Sequence, residues 1–175
     1  FIYSGEPLSS MGSFEHAADH VILIDSVSKR FSACGARIGV VITKNKEFQS
    51  HFMKLCQARL CVPTLDQLAS AELYTVDKSY FEEVREEYRK RRDTVYNALS
   101  KIPGIVCKEP KGAFYVMAKL PVRDTEDFLV WLLTEFEDKG ETVMYAPGGG
   151  FYATPGKGID EIRIAYVLNC QDLER

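Results

Sequence analysis

Long apolar stretches are missing from this chain of 175 residues. Its longest runs, Val21-Ile22-Leu23-Ile24 and Phe128-Leu129-Val130-Trp131-Leu132-Leu133, fall far short of the roughly 18 to 20 residues of a membrane-crossing helix, so no such span is expected. An excess of positive charge is missing too. With 22 basic against 25 acidic residues the formal net charge is -3, which leaves no global field to hold nucleic acid or an anionic membrane surface. The five cysteines, Cys34, Cys56, Cys61, Cys107 and Cys170, are odd in number and contain no C-x-x-C pair. That argues against a disulfide scaffold and a zinc ribbon and for a reducing, cytoplasmic home. Repeats and low-complexity tracts are absent. What remains, 46% hydrophobic and 27% charged, is the profile of an ordinary globular chain with room for one domain or two small ones. The first residue is Phe1, nothing after it has the succession of a signal peptide, and Gln171-Asp172-Leu173-Glu174-Arg175 reads as the opening of a helix. Both ends read as cuts in a longer protein.

Residues 21–24 and Ile38–Thr43 are β-branched runs, expected as two buried strands joined by a loop rich in serine and glycine. If the strands are neighbours, Ser26, Lys29 and Arg37 come together at one sheet edge. After Lys44 a helical pattern runs through Cys61, and Pro63 opens another helix with Asp66 in its first turn. From Asp77, the apolar residues Phe81, Val84, Tyr88, Val95 and Leu99 predict one long amphipathic helix ending near Pro103-Gly104. Glu86 and Glu87 stand four residues before Lys90 and Arg91, and the run Arg89–Arg92 reads as a solvated face. Beyond Gly104 come strands 105–107 and 113–117 around Pro110-Lys111-Gly112. A helix capped by Asp124 and ending at Gly140 follows, then strands 142–145 and 161–168 split by Pro147-Gly148-Gly149-Gly150. Strand, strand, helix, strand, strand suits a small α+β layer.

The informative stretch is Ser26-Val27-Ser28-Lys29-Arg30-Phe31-Ser32-Ala33-Cys34-Gly35-Ala36-Arg37-Ile38-Gly39. A lysine in a polar loop with serines beside it and an arginine eight residues on can form an amine site next to an anion site. Pyridoxal phosphate needs both: a lysine for its aldehyde, and hydroxyls with a guanidinium fork for its phosphate. By spacing alone the commoner reading is an exposed lysine and arginine with no shared role. His16 and His20, four apart, have no third ligand at matching spacing, so no metal site is expected.

The pattern S-x-S-K-x-x-x-x-x-G-x-R-x-G resembles the Schiff-base lysine signature of the fold type I pyridoxal-phosphate aminotransferases, class I and II. Ala146-Pro147-Gly148-Gly149-Gly150-Phe151-Tyr152, followed by Glu161-Ile162-Arg163-Ile164-Ala165-Tyr166, resembles the C-terminal block of that family's aspartate-aminotransferase-like branch, and Lys111-Gly112-Ala113-Phe114-Tyr115 agrees. The resemblance implies an α/β architecture in part. Residues 1–75 would be the tail of the large cofactor domain, and 76–175 a long interdomain helix with a small α+β domain. It implies pyridoxal 5'-phosphate as cofactor, with Lys29 as the imine-forming lysine, Ser26 and Arg37 as phosphate ligands, and Arg163 as the residue that holds the substrate α-carboxylate. Ser28 is a weaker candidate, as suited to capping the loop, and Tyr3 is read as structural.

The implied reaction is transamination between an amino acid, aspartate by analogy, and a 2-oxo acid, in a homodimer, with no nucleic acid or membrane partner. The family's aspartate at the pyridine nitrogen, tyrosine on the ring hydroxyl, asparagine and phosphate-binding turn have no counterpart in these residues, so the 175-residue chain alone is expected to bind cofactor poorly and not to transaminate. Alternatives on the same fold are a cofactor-dependent lyase or cyclase and the aminotransferase-like effector domain of a transcription regulator. A reading without the motif is an interaction module whose Arg89–Arg92 face binds anions.

Overall fold

A computed structural model describes residues 1–5 and 7–175. The chain is a mixed α/β structure that divides into two compact units, Pro7–Lys78 and a second made of Phe1–Glu6 with Ser79–Arg175. Residues 1–5 belong to the second unit. The backbone explains this: Tyr3 N–H donates to the Lys111 carbonyl and Ala113 N–H to the Phe1 carbonyl, both at 2.8 Å.

In Pro7–Lys78, β1 (Ile22–Ser26) and β2 (Gly39–Thr43) pair antiparallel, with Ser26 opposite Gly39. Between them lie a single helical turn, α1 (Val27–Arg30), and a 3₁₀ turn at Cys34–Ala36. Two longer helices follow, α2 (Lys46–Ala58) and α3 (Thr64–Glu72). The Asn45 side chain caps α2, accepting from Phe48 N–H at 2.8 Å, and Pro63 directly precedes α3. α2 thus begins directly after its Asn45 cap, as the pattern after Lys44 implied, and stops at Ala58, short of the expected Cys61. The strands were expected to be buried and are not. Ile24 is 81% and Ile42 55% exposed, since two strands and their helices supply too few layers to cover both faces of a β-branched ribbon. Val27 and Phe31 are buried in this unit, and Phe31 meets Tyr74 edge-on at 5.1 Å.

The second unit is built on a four-stranded antiparallel sheet of β3 (Val106–Cys107), β4 (Tyr115–Lys119), β5 (Ala146–Pro147) and β6 (Glu161–Ala165), in the order β3-β4-β6-β5. The long helix α4 (Lys78–Leu99) and α5 (Thr125–Thr134) supply apolar side chains to one face, and a short turn, α6 (Cys170–Leu173), lies near the end. Period-two alternation sends Val116, Ala118, Ile162 and Ile164 inward to meet Val95, Leu99, Leu132 and Tyr166. Asp124 caps α5, accepting from Glu126 N–H at 2.8 Å. Thr125 is tied down twice more, its hydroxyl donating to the carbonyls of Ile159 and Glu161 at 3.0 and 3.1 Å.

Three expectations are corrected here. The strand expected at 142–145 is displaced to the two-residue β5, because the Tyr145 side chain turns into the core and donates to the Thr125 carbonyl at 2.8 Å. The helix expected to run to Gly140 ends at Thr134, before the tight Asp138–Glu141 bridge. The Arg89–Arg92 run is only partly a solvated face. Arg92 is 7% exposed: it pairs with Asp93 at 2.6 Å and Glu109 at 2.9 Å, donates to the Pro110 carbonyl at 2.8 Å and stacks on the Tyr3 ring. Of the expected helix-surface pairs, Glu87–Arg91 forms at 2.7 Å, whereas Glu86 takes Arg89 at 2.7 Å. His16 and His20 lie in the 3₁₀ stretch Glu15–His20, and no group of three or more potential metal ligands occurs among the described residues.

Candidate functional site

The register of β1 and β2 closes the loop that carries the lysine motif. Ser26 faces Gly39, and Val27 N–H donates to the Ile38 carbonyl at 3.3 Å, so everything from Val27 to Ile38 is pinned at its two ends. Inside the loop one residue joins the amine to the guanidinium. Lys29 Nζ donates to Cys34 Sγ at 3.7 Å, and Arg37 Nη1 donates to the Cys34 carbonyl at 3.1 Å. The backbone of Arg37 is left-handed, φ 55 and ψ 35, a conformation that costs a side-chain-bearing residue about 1 kcal/mol and that ends the Cys34–Ala36 turn.

Charge in the loop is unevenly compensated. Asp25, at the end of β1, is taken by Arg30 at 2.7 Å, and Arg37 has no carboxylate partner among the described residues. The Ser26 hydroxyl makes no hydrogen bond there, and Ser28 contributes its carbonyl, which accepts from the Cys34 thiol at 3.2 Å. Ser26 also borders a cleft of about 230 Å³ with Gly39, Gln67, Ser70 and Tyr74. The Ser70 hydroxyl is buried there without a partner among the described residues.

In the other unit, Arg163 stands on β6 opposite Met117 and Ala146, on the face away from Ile162 and Ile164. Its guanidinium lies over two rings, 5.3 Å from the centre of Tyr115 and 4.5 Å from that of Phe151. The ion pair with Asp160 or Glu161 that would make it structural does not form: Asp160 takes Lys119 at 2.6 Å, and Glu161 accepts from the Tyr152 hydroxyl. Two aromatic faces hold the fork while its N–H donors keep no acid partner among the described residues. Gly148 shapes the adjoining loop, because a Cβ there would sit 2.7 Å from the Glu161 carbonyl that its own N–H bonds. A larger cleft of about 430 Å³, between the start of α5 and residues 149–159, contains none of the expected site residues.

Tyr3 and Tyr166 both donate to the Ala113 carbonyl. Burial pushes both phenols above the usual tyrosine range, that of Tyr3 the further because its contact with Tyr166 adds to the effect. Three contributions escaped the sequence reading: Cys34 as the tie between Lys29 and Arg37, Tyr115 and Phe151 as the bed of Arg163, and Arg92 as a buried anchor. Only the second left a signal, since Tyr115 and Phe151 lie in the very segments whose resemblance placed Arg163.

The family described as "Aminotransferase class I and II" matches residues 2–166. An aspartate aminotransferase of Pyrococcus horikoshii is 32% identical over 177 aligned positions, covering 99% of this chain and 43% of that protein. Among solved structures, the aspartate aminotransferase of Rhizobium meliloti superposes with a TM-score of 0.81 at 26% identity, covering 99% of this chain and 44% of that one. The α-aminoadipate aminotransferase of Thermus thermophilus, complexed with N-(5'-phosphopyridoxyl)-L-leucine, superposes with a TM-score of 0.80 at 28% identity and the same two coverages, 99% and 44%. The chain thus spans less than half the length of the relatives it matches. With the motif, the strand register and these likenesses in agreement, the chain belongs to the class I and II aminotransferase family.

Proposed function

We propose that this chain is the lysine-bearing part of a pyridoxal-phosphate-dependent aminotransferase, acting between an amino acid and a 2-oxo acid within a longer enzyme. The observation that carries the reading is the loop in which Cys34 ties Lys29 to Arg37 beside Ser26. The donor set fits the cofactor: an amine for its aldehyde, and for its phosphate a guanidinium and a hydroxyl, neither of them paired with an acid among the described residues. When bound, pyridoxal phosphate supplies an aldehyde that condenses with amines and a ring that delocalises negative charge from the substrate α-carbon. Lys29 would hold it covalently, and Ser26 and Arg37 would grip the phosphate. Lys29 would also serve as the base that takes the proton from the substrate α-carbon and later returns one. Arg163 would donate bidentately to the substrate α-carboxylate and so fix the rotation of the amino acid about its Cα.

In this reading Pro7–Lys78 is the tail of the cofactor domain, and α4 leads into the small domain. The apolar faces of β1 and β2 meet the rest of the enzyme, a homodimer. All five thiols are unpaired, which supports a reducing, cytoplasmic home, and no described helix is long and apolar enough to cross a membrane. The test is Lys29→Ala in the complete enzyme. Visible absorbance of the bound cofactor and turnover should both vanish; an unaltered spectrum would refute the assignment. The 175-residue chain alone should bind cofactor weakly and not transaminate, which absorbance titration and product assay check.

A further inference from the structure

Cys34 is held by its surroundings in a way that the other exposed thiols are not. Its Sγ accepts from Lys29 Nζ at 3.7 Å and donates to the Ser28 carbonyl at 3.2 Å, while its side chain stays open to solvent. Cys56 and Cys61 are also exposed, but neither hydrogen-bonds an amine among the described residues. An oxidised sulfur is an electrophile whose fate depends on the nearest nucleophile. At Cys34 that nucleophile is a primary amine on a flexible four-carbon stem, able to close the remaining gap by changing rotamer.

We propose that Cys34 and Lys29 form an oxidative cross-linking site, in which a peroxide converts the facing thiol and amine into a sulfur–nitrogen bond. In the first step the O–O bond of hydrogen peroxide breaks. Sγ gives up two electrons and gains one oxygen as sulfenic acid, and the second oxygen leaves as water. In the second step the lone pair of neutral Lys29 Nζ attacks Sγ, the S–O bond breaks, and the hydroxyl leaves as water with a proton from Nζ. The protein loses two hydrogens in all, and the peroxide ends as two waters. An added thiol reverses the link by attacking Sγ and returning the amine. The site rests on this geometry alone. Under the transamination reading, the link forms only while Lys29 is not joined to the cofactor, and it then withdraws the amine that chemistry needs before the sulfur reaches the irreversible sulfinic acid.

The experiment uses the 175-residue chain without cofactor, treated with hydrogen peroxide in the presence or absence of dimedone, digested and read by mass spectrometry. The expected product joins the Cys34 and Lys29 peptides with the loss of two hydrogens and disappears on adding dithiothreitol. Dimedone labelling of Cys34 should be several-fold below that of Cys56 and Cys61. In Lys29→Arg, which keeps the cation, labelling of Cys34 should rise to their level, and in Cys34→Ser no modification should appear at residue 29. Cys34 remaining a thiol, passing to sulfinic acid with Lys29 unlinked, or labelling equally with and without Lys29 would each overturn the proposal. None of these readouts depends on transamination, so failure here leaves that reading intact, and the Lys29→Ala spectrum can fail on its own.

Discussion

In the unit that ends at Arg175, four strands and two helices close around Val116, Ala118, Ile162 and Tyr166, the last of these fully buried. In Pro7–Lys78, two strands leave Ile24 and Ile42 open, and only Val27, Phe31 and Ser70 are buried among the described residues. Both units carry part of the proposed chemistry, yet only one completes a core. The lysine loop is organised locally, by the β1–β2 register and by hydrogen bonds to Cys34, and needs little burial to keep its shape. Arg163 depends instead on a strand whose opposite face is packed.

The contrast can be broken most directly in the packed unit. Ile162→Ala removes a side chain that is 3% exposed and should cost about 2–5 kcal/mol, read as a lower urea midpoint. Gly148→Ala drives a methyl against the Glu161 carbonyl and should cost about 1–3 kcal/mol by the same measurement, with the Arg163 loop displaced. The pair Tyr3 and Tyr166 sharpens the comparison through pH. Their phenols are raised in the folded state, so their protonated forms stabilise the fold fully below the ordinary tyrosine value of 10.0, and that contribution is lost as pH climbs beyond it. Spectrophotometric titration should show Tyr3 and Tyr166 ionising later than the exposed tyrosines, and the double variant Tyr3→Phe with Tyr166→Phe should lessen the fall in stability above that pH, the remainder coming from Tyr145 and Tyr152, which are raised as well. In the complete enzyme, Phe151→Ala strips one ring from Arg163 and should lower kcat/KM for the amino acid by about two- to five-fold, chiefly through KM. Smallest of all, Ile24→Ala on the open face of β1 should shift stability by no more than about 0.5 kcal/mol. A loss there as large as that of Ile162→Ala would erase the distinction between the two units.

Much of this could be read in advance wherever the signal is local. The long helix from Lys78, the Asp124 cap and the strand, strand, helix, strand, strand order follow from apolar period and capping chemistry, which act over a few residues. Arg92 defeats that kind of reading. It sits in a charged run typical of a wet surface, but its burial comes from Tyr3, Glu109 and Pro110, all remote along the chain. The exposed strands fail for the converse reason: β-branched runs announce an intention to be buried, and whether another layer arrives is not a property of the run.

The sequence by itself supplied the candidate groups, a primary amine, a guanidinium fork and a hydroxyl, and the motif whose resemblance singles them out, because residue type and order are local properties of the chain. Which of those groups meet was decided by tertiary structure. The antiparallel register of β1 and β2 brings Lys29 and Arg37 onto one cysteine, and the pleat of β6 turns Arg163 away from the core onto Tyr115 and Phe151. The loop contacts close over a few residues once the hairpin forms, whereas the bed of Arg163 on Tyr115 needs pairing between strands far apart in the chain, which a local stretch of sequence does not contain.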